Sequence, residues 1–174
     1  MAGQLVRHRD PRASAAHPGG RHGPGNDHRN PALQMISQAH TLSIRTRGND
    51  HNVNITDQVQ QRVRDSGIGT GQATLMVVGS TGALTTIEYE PGLVQHDLSA
   101  ALERIAPRHA HYQHEETWHD DNGHSHVRAS LIGPALALPI VGGSIPLGTW
   151  QQVVLIDSDT RPRERQVIIT LLGD

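Results

Sequence analysis

Six of the chain's thirteen histidines fall between His109 and His126, in the run H-A-H-Y-Q-H-E-E-T-W-H-D-D-N-G-H-S-H. Glu115, Glu116, Asp120, Asp121 and Asn122 are interleaved with them. Imidazole and carboxylate bind divalent cations and exchange protons near neutral pH. In an extended backbone His109 and His111 share one face while His114 points with Tyr112 to the other. His114 before the polar connection, with His124 and His126 after it, can converge on one ion and leave a fourth position for water or substrate. The neighbouring carboxylates would then orient the ligands or act as bases. The competing reading is a set of surface imidazoles in a polar loop, because the spacing matches no established zinc motif.

Other residues offer anion chemistry. Imidazoles at His124 and His126, at the start of a helix, would stand beside free backbone N–H groups and attract a phosphate. The bend Gly79-Ser80-Thr81-Gly82 presents amides and two hydroxyls to an oxyanion, or is simply a turn between two strands. In G-T-W-Q, Trp150 and Gln151 enter a strand facing opposite sides, so one can pack while the other reaches a site. Arg161, Arg163 and Arg165 alternate along R-P-R-E-R, as paired surface charge or as phosphate contacts. Arg128, one turn into the helix after the histidine loop, is a further phosphate candidate.

The elements that must hold these groups are mostly strands. Leu42 and Ile44 alternate with polar residues, and Val53 and Ile55 continue that sense. Thr56 is positioned to cap a helix carrying Val59 and Val63, stopped at Gly67. T-L-M-V-V from Thr74 and A-L-T-T-I-E-Y from Ala83 read as strands. Pro91 opens a helix whose period runs through Leu93, Val94, Leu98, Leu102 and Ile105 to Pro107. H-A-H-Y-Q-H-E reads as a short marginal strand, and S-H-V-R-A-S-L-I-G as a short helix. Strands follow at 136–141, 149–157 and 166–172. Strand runs broken by a few helices predict an α+β domain with a largely antiparallel sheet, folded into a β-sandwich with a few short helices.

Residues 1–34 are set apart by composition. They are rich in Arg, His, Pro and Gly, with five Arg against two Asp, which leaves a charge of −5 for 35–174. The segment lacks the apolar residues needed to offset ordering entropy and is predicted to be disordered, with 35–174 as the single folded domain. Met35, at the start of the patterned region, is an alternative start. The 174 residues contain no Cys, which excludes disulfides and thiolate metal sites and suits a reducing cytoplasm. No apolar run spans a bilayer and no secretory signal is visible, so the expectation is a cytoplasmic protein without a membrane. Near-neutral charge gives no reason to expect a nucleic-acid partner. Every basic residue is Arg and there is no Phe, so the core must be built from Val, Leu, Ile, Met and Ala.

Taken together, T-T-I-E-Y-E-P-G-L, the Y-Q-H…N-G-H-S-H-V-R-A-S-L-I-G block, P-I-V-G-G-S-I-P-L-G-T-W-Q-Q-V and the closing R-P-R-E-R-Q-V-I-I-T-L-L-G-D resemble the YjbQ-like family. This family is often labelled secondary thiamine-phosphate synthase. The resemblance covers about residues 38–174. It implies a compact α+β fold around a β-sandwich, a homotrimer, and a polar pocket suited to a metal or a phosphate-like anion. His114 matches the family's His after its Tyr, Asn122 and His126 match N-x-x-x-H, Trp150 and Gln151 match G-T-W-Q, and Glu88 matches the acid of the T-I-N-E segment. Many members carry His-Thr-Ser where this chain has Gly79-Ser80-Thr81, and many have Ala where it has His124. The expectation is that His124 replaces the lost imidazole.

The resemblance implies a transferase that joins hydroxymethylpyrimidine diphosphate to thiazole phosphate. His114, His124 and His126 would hold a divalent ion, zinc or magnesium, and Arg128 would neutralise the leaving diphosphate. Ser80 and Thr81 would bind the acceptor phosphate, with Asn122 and Trp150 also on the substrate. Glu88, His114, His126 and Gln151 would act at the reacting centre. Two alternatives stand beside it. One is a metal-dependent hydrolase of a phosphorylated metabolite. The other is a non-enzymatic trimer with a structural metal or anion.

Overall fold

The computed structural model describes residues 35–174; the 1–34 arm lies outside the described residues. Among the described residues seven strands form two antiparallel sheets. The larger has the order β1-β7-β3-β5, with β1 Ile36–Thr46, β3 Thr70–Val77, β5 Ala135–Val141 and β7 Arg163–Gly173. The smaller has the order β2-β6-β4, from His51–Asn54, Gln151–Asp157 and Gly82–Glu88. β1 and β7 pair along their whole length, from Ile36 opposite Gly173 to Thr46 opposite Arg163.

The two sheets share one aliphatic core. Leu42, Ile44, Leu75, Val77, Ile169 and Leu171 of the larger meet Leu84, Val153 and Leu155 of the smaller. Val59 and Val63, one turn apart on helix α1 (Thr56–Ser66), close the same core. Gly67 ends α1 in the left-handed conformation, as its position predicts. The cap differs from expectation. The Thr56 N–H is capped by the Asn54 side chain at 2.9 Å, and Thr56 Oγ1 instead accepts the Val153 N–H at 2.8 Å, tying α1 to β6.

The smaller sheet is covered on both faces. Val153 and Leu155 face the core, while Val154 and Ile156 face a helical layer that includes Leu98 and Ile132. That two-sided burial explains the unbroken V-V-L-I run. Leu98 belongs to α2 (Leu98–Ile105), entered through a π-helical turn at Leu93–Asp97. Ile132 ends α4 (Gly123–Ile132).

The histidine segment is where the expected element is overturned. Residues 113–118 form a short helix, α3 (Gln113–Trp118), rather than a marginal strand, and His109 and His111 lie in coil. H-A-H-Y-Q-H has no apolar face to lay against a sheet. The Gly79–Gly82 bend carries the chain from β3 in one sheet to β4 in the other, so it is a crossing rather than a hairpin.

Candidate functional site

The site is built where α3 turns back into α4. His119 takes a left-handed conformation (φ 55°) and reverses the chain. Asn122 follows as the residue before α4, and its carbonyl accepts the first helical N–H groups, from Ser125 and His126. Gly123 then allows α4 to start against Tyr112: a Cβ at Gly123 would sit 2.5 Å from Tyr112 Cβ. This close approach brings His114 of α3 beside His126, with ring centroids 4.4 Å apart and planes tilted by 55°.

Both imidazoles converge on Asn122. With its amide nitrogen turned toward them, that nitrogen lies 3.2 Å from His114 Nε2, from His126 Nε2 and from both Asp120 carboxylate oxygens. His114 Nε2 is itself 3.4 Å from Asp120 Oδ1. An amide has two protons to share among these four atoms, and each imidazole Nε2 accepts or donates according to its tautomer. The side chains of His114 and Asp120 remain about a third exposed, at 30% and 33%, so water reaches them.

His126 also forms part of a cavity wall. A cavity of about 840 Å³ lies between Met76, Gly79 and Ser80 on the sheet side and His126, Ala129 and Ser130 on the helix side. Its size suits a small metabolite. A second cavity, about 860 Å³, opens beside the turn at 47–52 and Tyr89, and none of the candidate site residues lines it.

Three expected site residues are buried in the described structure. His124, two residues before His126, is only 2% exposed and does not join the imidazole pair. Its ring lies beside Tyr112, its Nε2 is 3.3 Å from Ser125 Oγ, and its Nδ1 has no partner. Burial first, and the Arg128 and Arg108 charges second, hold its pKa below the ordinary value.

Arg128 is the second. It is fully buried, and its guanidinium donates to Asp50 Oδ2 at 2.6 Å, to Glu103, and to the Ala106 carbonyl at 2.7 and 2.9 Å. No face is left for a diphosphate. Its work is to pin α4 to the rest of the domain. Asp50, the receiving carboxylate, also takes Arg108, Ser99 and Ser158. It occupies a left-handed position after Gly48 and Asn49, which are left-handed as well.

Thr81 is the third. It is buried, donates to Asp159 Oδ2 at 3.0 Å and accepts Arg165 Nη2 at 2.7 Å, while Ser80 stays exposed in the cavity wall. Arg165 and Arg163 pair with Asp157 and Asp159, which favours the charge-pairing reading of R-P-R-E-R.

Glu88 and Gln151 face each other across β4 and β6. Gln151 donates to Thr86 Oγ1 at 2.9 Å and accepts the Gly148 N–H, and Trp150 is 72% exposed. No side-chain hydrogen bond among the described residues links this end of the sheet to His114 or His126. In the sequence Asp120 is one of four interchangeable acids, and Asp50 is inconspicuous. Three consecutive turn-forming residues, Gly48-Asn49-Asp50, were the only signal for it.

Comparison with known proteins agrees with this architecture. The family profile described as UPF0047 protein YjbQ-like matches residues 40–174. A UPF0047 protein of Methanothermobacter thermautotrophicus is 33% identical over 132 residues, covering 76% of this chain and 90% of the relative. The UPF0047 protein YjbQ of Escherichia coli O157:H7 is 30% identical, covering 77% and 95%. Among solved structures, a YbjQ-like protein of unknown function from Sulfolobus solfataricus superposes with a TM-score of 0.76 at 30% identity, over 81% of this chain and all of the other. An uncharacterised YjbQ/UPF0047 protein from Clostridium acetobutylicum gives 0.69 at 30% identity, over 76% and 98%.

Proposed function

The chain belongs to the UPF0047 YjbQ-like family, and from that premise we propose that it transforms a small phosphorylated metabolite held in the cavity walled by Ser80 and His126. One observation carries this reading: His126 is shared between that cavity and the polar cluster of His114, Asp120 and Asn122. The body of a ligand in the cavity would therefore lie against the only convergent pair of imidazoles identified above.

The reaction proposed first is the one the family resemblance implies. The thiazole nitrogen forms a bond to the methylene carbon of hydroxymethylpyrimidine diphosphate as the carbon–oxygen bond breaks, and pyrophosphate leaves with the electron pair. Such a step demands positioning and charge stabilisation more than a nucleophile. Ser80 offers its exposed hydroxyl to the acceptor phosphate, and His126 holds the reacting end against the cluster. His114 and Asp120 exchange protons with bound water or leaving group. A divalent ion bound by the imidazoles would supply neutralising charge to the diphosphate. The donor set fits such an ion chemically. Among the described residues no group of three His, Cys, Asp or Glu side chains is placed to hold a metal ion as it stands, and the Asn122 amide lies between His114, His126 and Asp120.

Hydrolysis of a phosphorylated metabolite is the second reading, favoured by the water access of His114 and Asp120. The homotrimer stays part of the proposal. Met76 at the cavity rim and Val127 and Leu131 on α4 leave apolar surface exposed, the kind of patch that a second copy covers. No described helix is long and apolar enough to cross a membrane.

The test uses untagged protein with both precursors and zinc or magnesium. Thiamine phosphate should form, and Ser80→Ala and His126→Ala should lower kcat/KM by at least about 100-fold, the scale of losing a group that acts in the transition state. No product from the wild type overturns the transferase reading. Phosphate release from a phosphoester panel then decides for or against the hydrolase.

A further inference from the structure

We propose that His114, Asp120 and His126 are the protein ligands of one divalent transition-metal ion, and that the Asn122 amide is a placeholder holding those donors apart until the ion enters. The inference rests on the same cluster as the functional reading, but its test needs no substrate.

Four side-chain atoms capable of binding a cation converge on one point. His114 Nε2, His126 Nε2, Asp120 Oδ1 and Asp120 Oδ2 all lie 3.2 Å from one atom of Asn122. They come from three stretches of chain: α3, the α3–α4 connection and the first turn of α4. Convergence of lone pairs from separate elements on one point is what a cation stabilises. Metal–nitrogen and metal–oxygen contacts are about 2.0–2.2 Å, so each donor needs to move inward by roughly 1 Å once the amide withdraws.

Nothing stronger has to be broken first. The His114–Asp120 contact is a long 3.4 Å, and both side chains are partly open to water that can fill the remaining coordination positions. The donor set also selects the ion. Two imidazoles and one carboxylate suit zinc, iron(II), manganese or cobalt, whereas magnesium prefers oxygen ligands. Asp120 thus supplies the third donor for which the sequence suggested His124, whose ring is enclosed beside Tyr112.

Cobalt(II) titration of the full chain tests this directly, with His8, His17, His22 and His28 changed to Gln so that residues 1–34 contribute no imidazole. The visible cobalt absorption should saturate at one ion per chain. His114→Ala, His126→Ala and Asp120→Ala should each weaken binding by at least about 100-fold, more than is typical for losing a supporting residue around a metal. Asp120→Glu should restore binding with a shifted spectrum. Asn122→Ala should bind as tightly as the parent or more so, and His124→Gln should keep its stoichiometry.

Circular dichroism melting of each variant separates loss of a ligand from loss of fold. Failure of the parent to bind cobalt overturns the proposal. So does an Asp120→Ala variant that is folded and binds as the parent does, or an Asn122→Ala variant that is folded and binds more weakly. Cobalt binding without thiamine-phosphate formation leaves the metal site standing and removes the transferase. Turnover unaffected by chelator and by Asp120→Ala does the reverse.

Discussion

Gly123 and Tyr112 are in direct contact through the one position where α4 has no side chain. A Cβ on Gly123 would come within 2.5 Å of Tyr112 Cβ and 2.8 Å of its Cγ. Tyr112 is in turn fixed by its hydroxyl, which donates to the Pro107 carbonyl at 2.8 Å. The glycine therefore sets the spacing between the segment that carries His114 and the helix that carries His126.

Gly123→Ala should push these two segments apart. The expected cost is about 1–3 kcal/mol in urea denaturation, the usual price of overfilling a packed contact. Cobalt affinity should fall in the same variant although no donor has been removed. A variant of unchanged stability would show that Tyr112 yields freely and that the contact does not organise the site.

The buried charges around Asp50 make a second prediction. Asp50→Ala removes the buried carboxylate 2.6 Å from Arg128 and leaves that guanidinium only the half-exposed Glu103, and breaking such a buried pair costs about 3–5 kcal/mol. Adding Arg128→Met should recover part of that loss, because the orphaned charge goes with it. A double mutant as unstable as the sum of its singles would mean that the two residues stabilise the fold independently.

How far the sequence reveals this arrangement depends on whether local pattern decides the element. The alternation at Leu42 and Ile44, the Val59–Val63 stripe and Gly67 each report a local demand, and each element appears where the pattern puts it. The V-V-L-I run at 153–156 reveals burial on both faces for the same reason. The 109–114 segment fails because alternating polar residues satisfy no burial requirement. What organises it is distant: Tyr112 against Gly123, and the left-handed turn at His119. Spacing placed His114 and His126 in the same site but also enlisted His124. Only the helical geometry shows that residues two apart on α4 point to different surroundings. Arg128 reads as an exposed helical cation until Asp50, far away in sequence, is found beneath it.

His51 carries the pH prediction. Its Nδ1 accepts the Arg47 N–H at 3.1 Å, which requires the unprotonated ring nitrogen. Burial, followed by the Arg47 charge, lowers its pKa below the ordinary 6.5. The folded state thus binds this proton less readily than the unfolded state. Its contribution is fully present above pH 6.5 and is lost as pH falls below that value toward the folded pKa. The urea midpoint should drop between pH 7.5 and 5.5, and His51→Asn, which keeps an acceptor that does not titrate, should show a smaller drop. Equal drops in both proteins would assign the acid sensitivity to other groups.

The R-P-R-E-R segment offers a contrast between residues that look alike in sequence. Arg165 is buried, bonded to Asp157 at 2.6 and 3.0 Å and to Thr81 at 2.7 Å, where it joins the end of the larger sheet to the Gly79–Gly82 crossing. Asp159 is buried beside it and, although burial alone would raise its pKa, its bonds to Arg163 and Thr81 hold it below the usual value. Arg161 is exposed and reaches only Asp121, at 3.8 Å. Arg165→Met should therefore cost about 3–5 kcal/mol by stranding buried carboxylates, whereas Arg161→Ala should stay within about 0.5 kcal/mol of the parent. If these arginines instead served a phosphate ligand, Arg165→Met would mainly weaken ligand binding and leave the melting temperature near that of the parent. Melting curves with and without inorganic phosphate distinguish the two cases, because a structural Arg165 lowers the melting temperature equally in both.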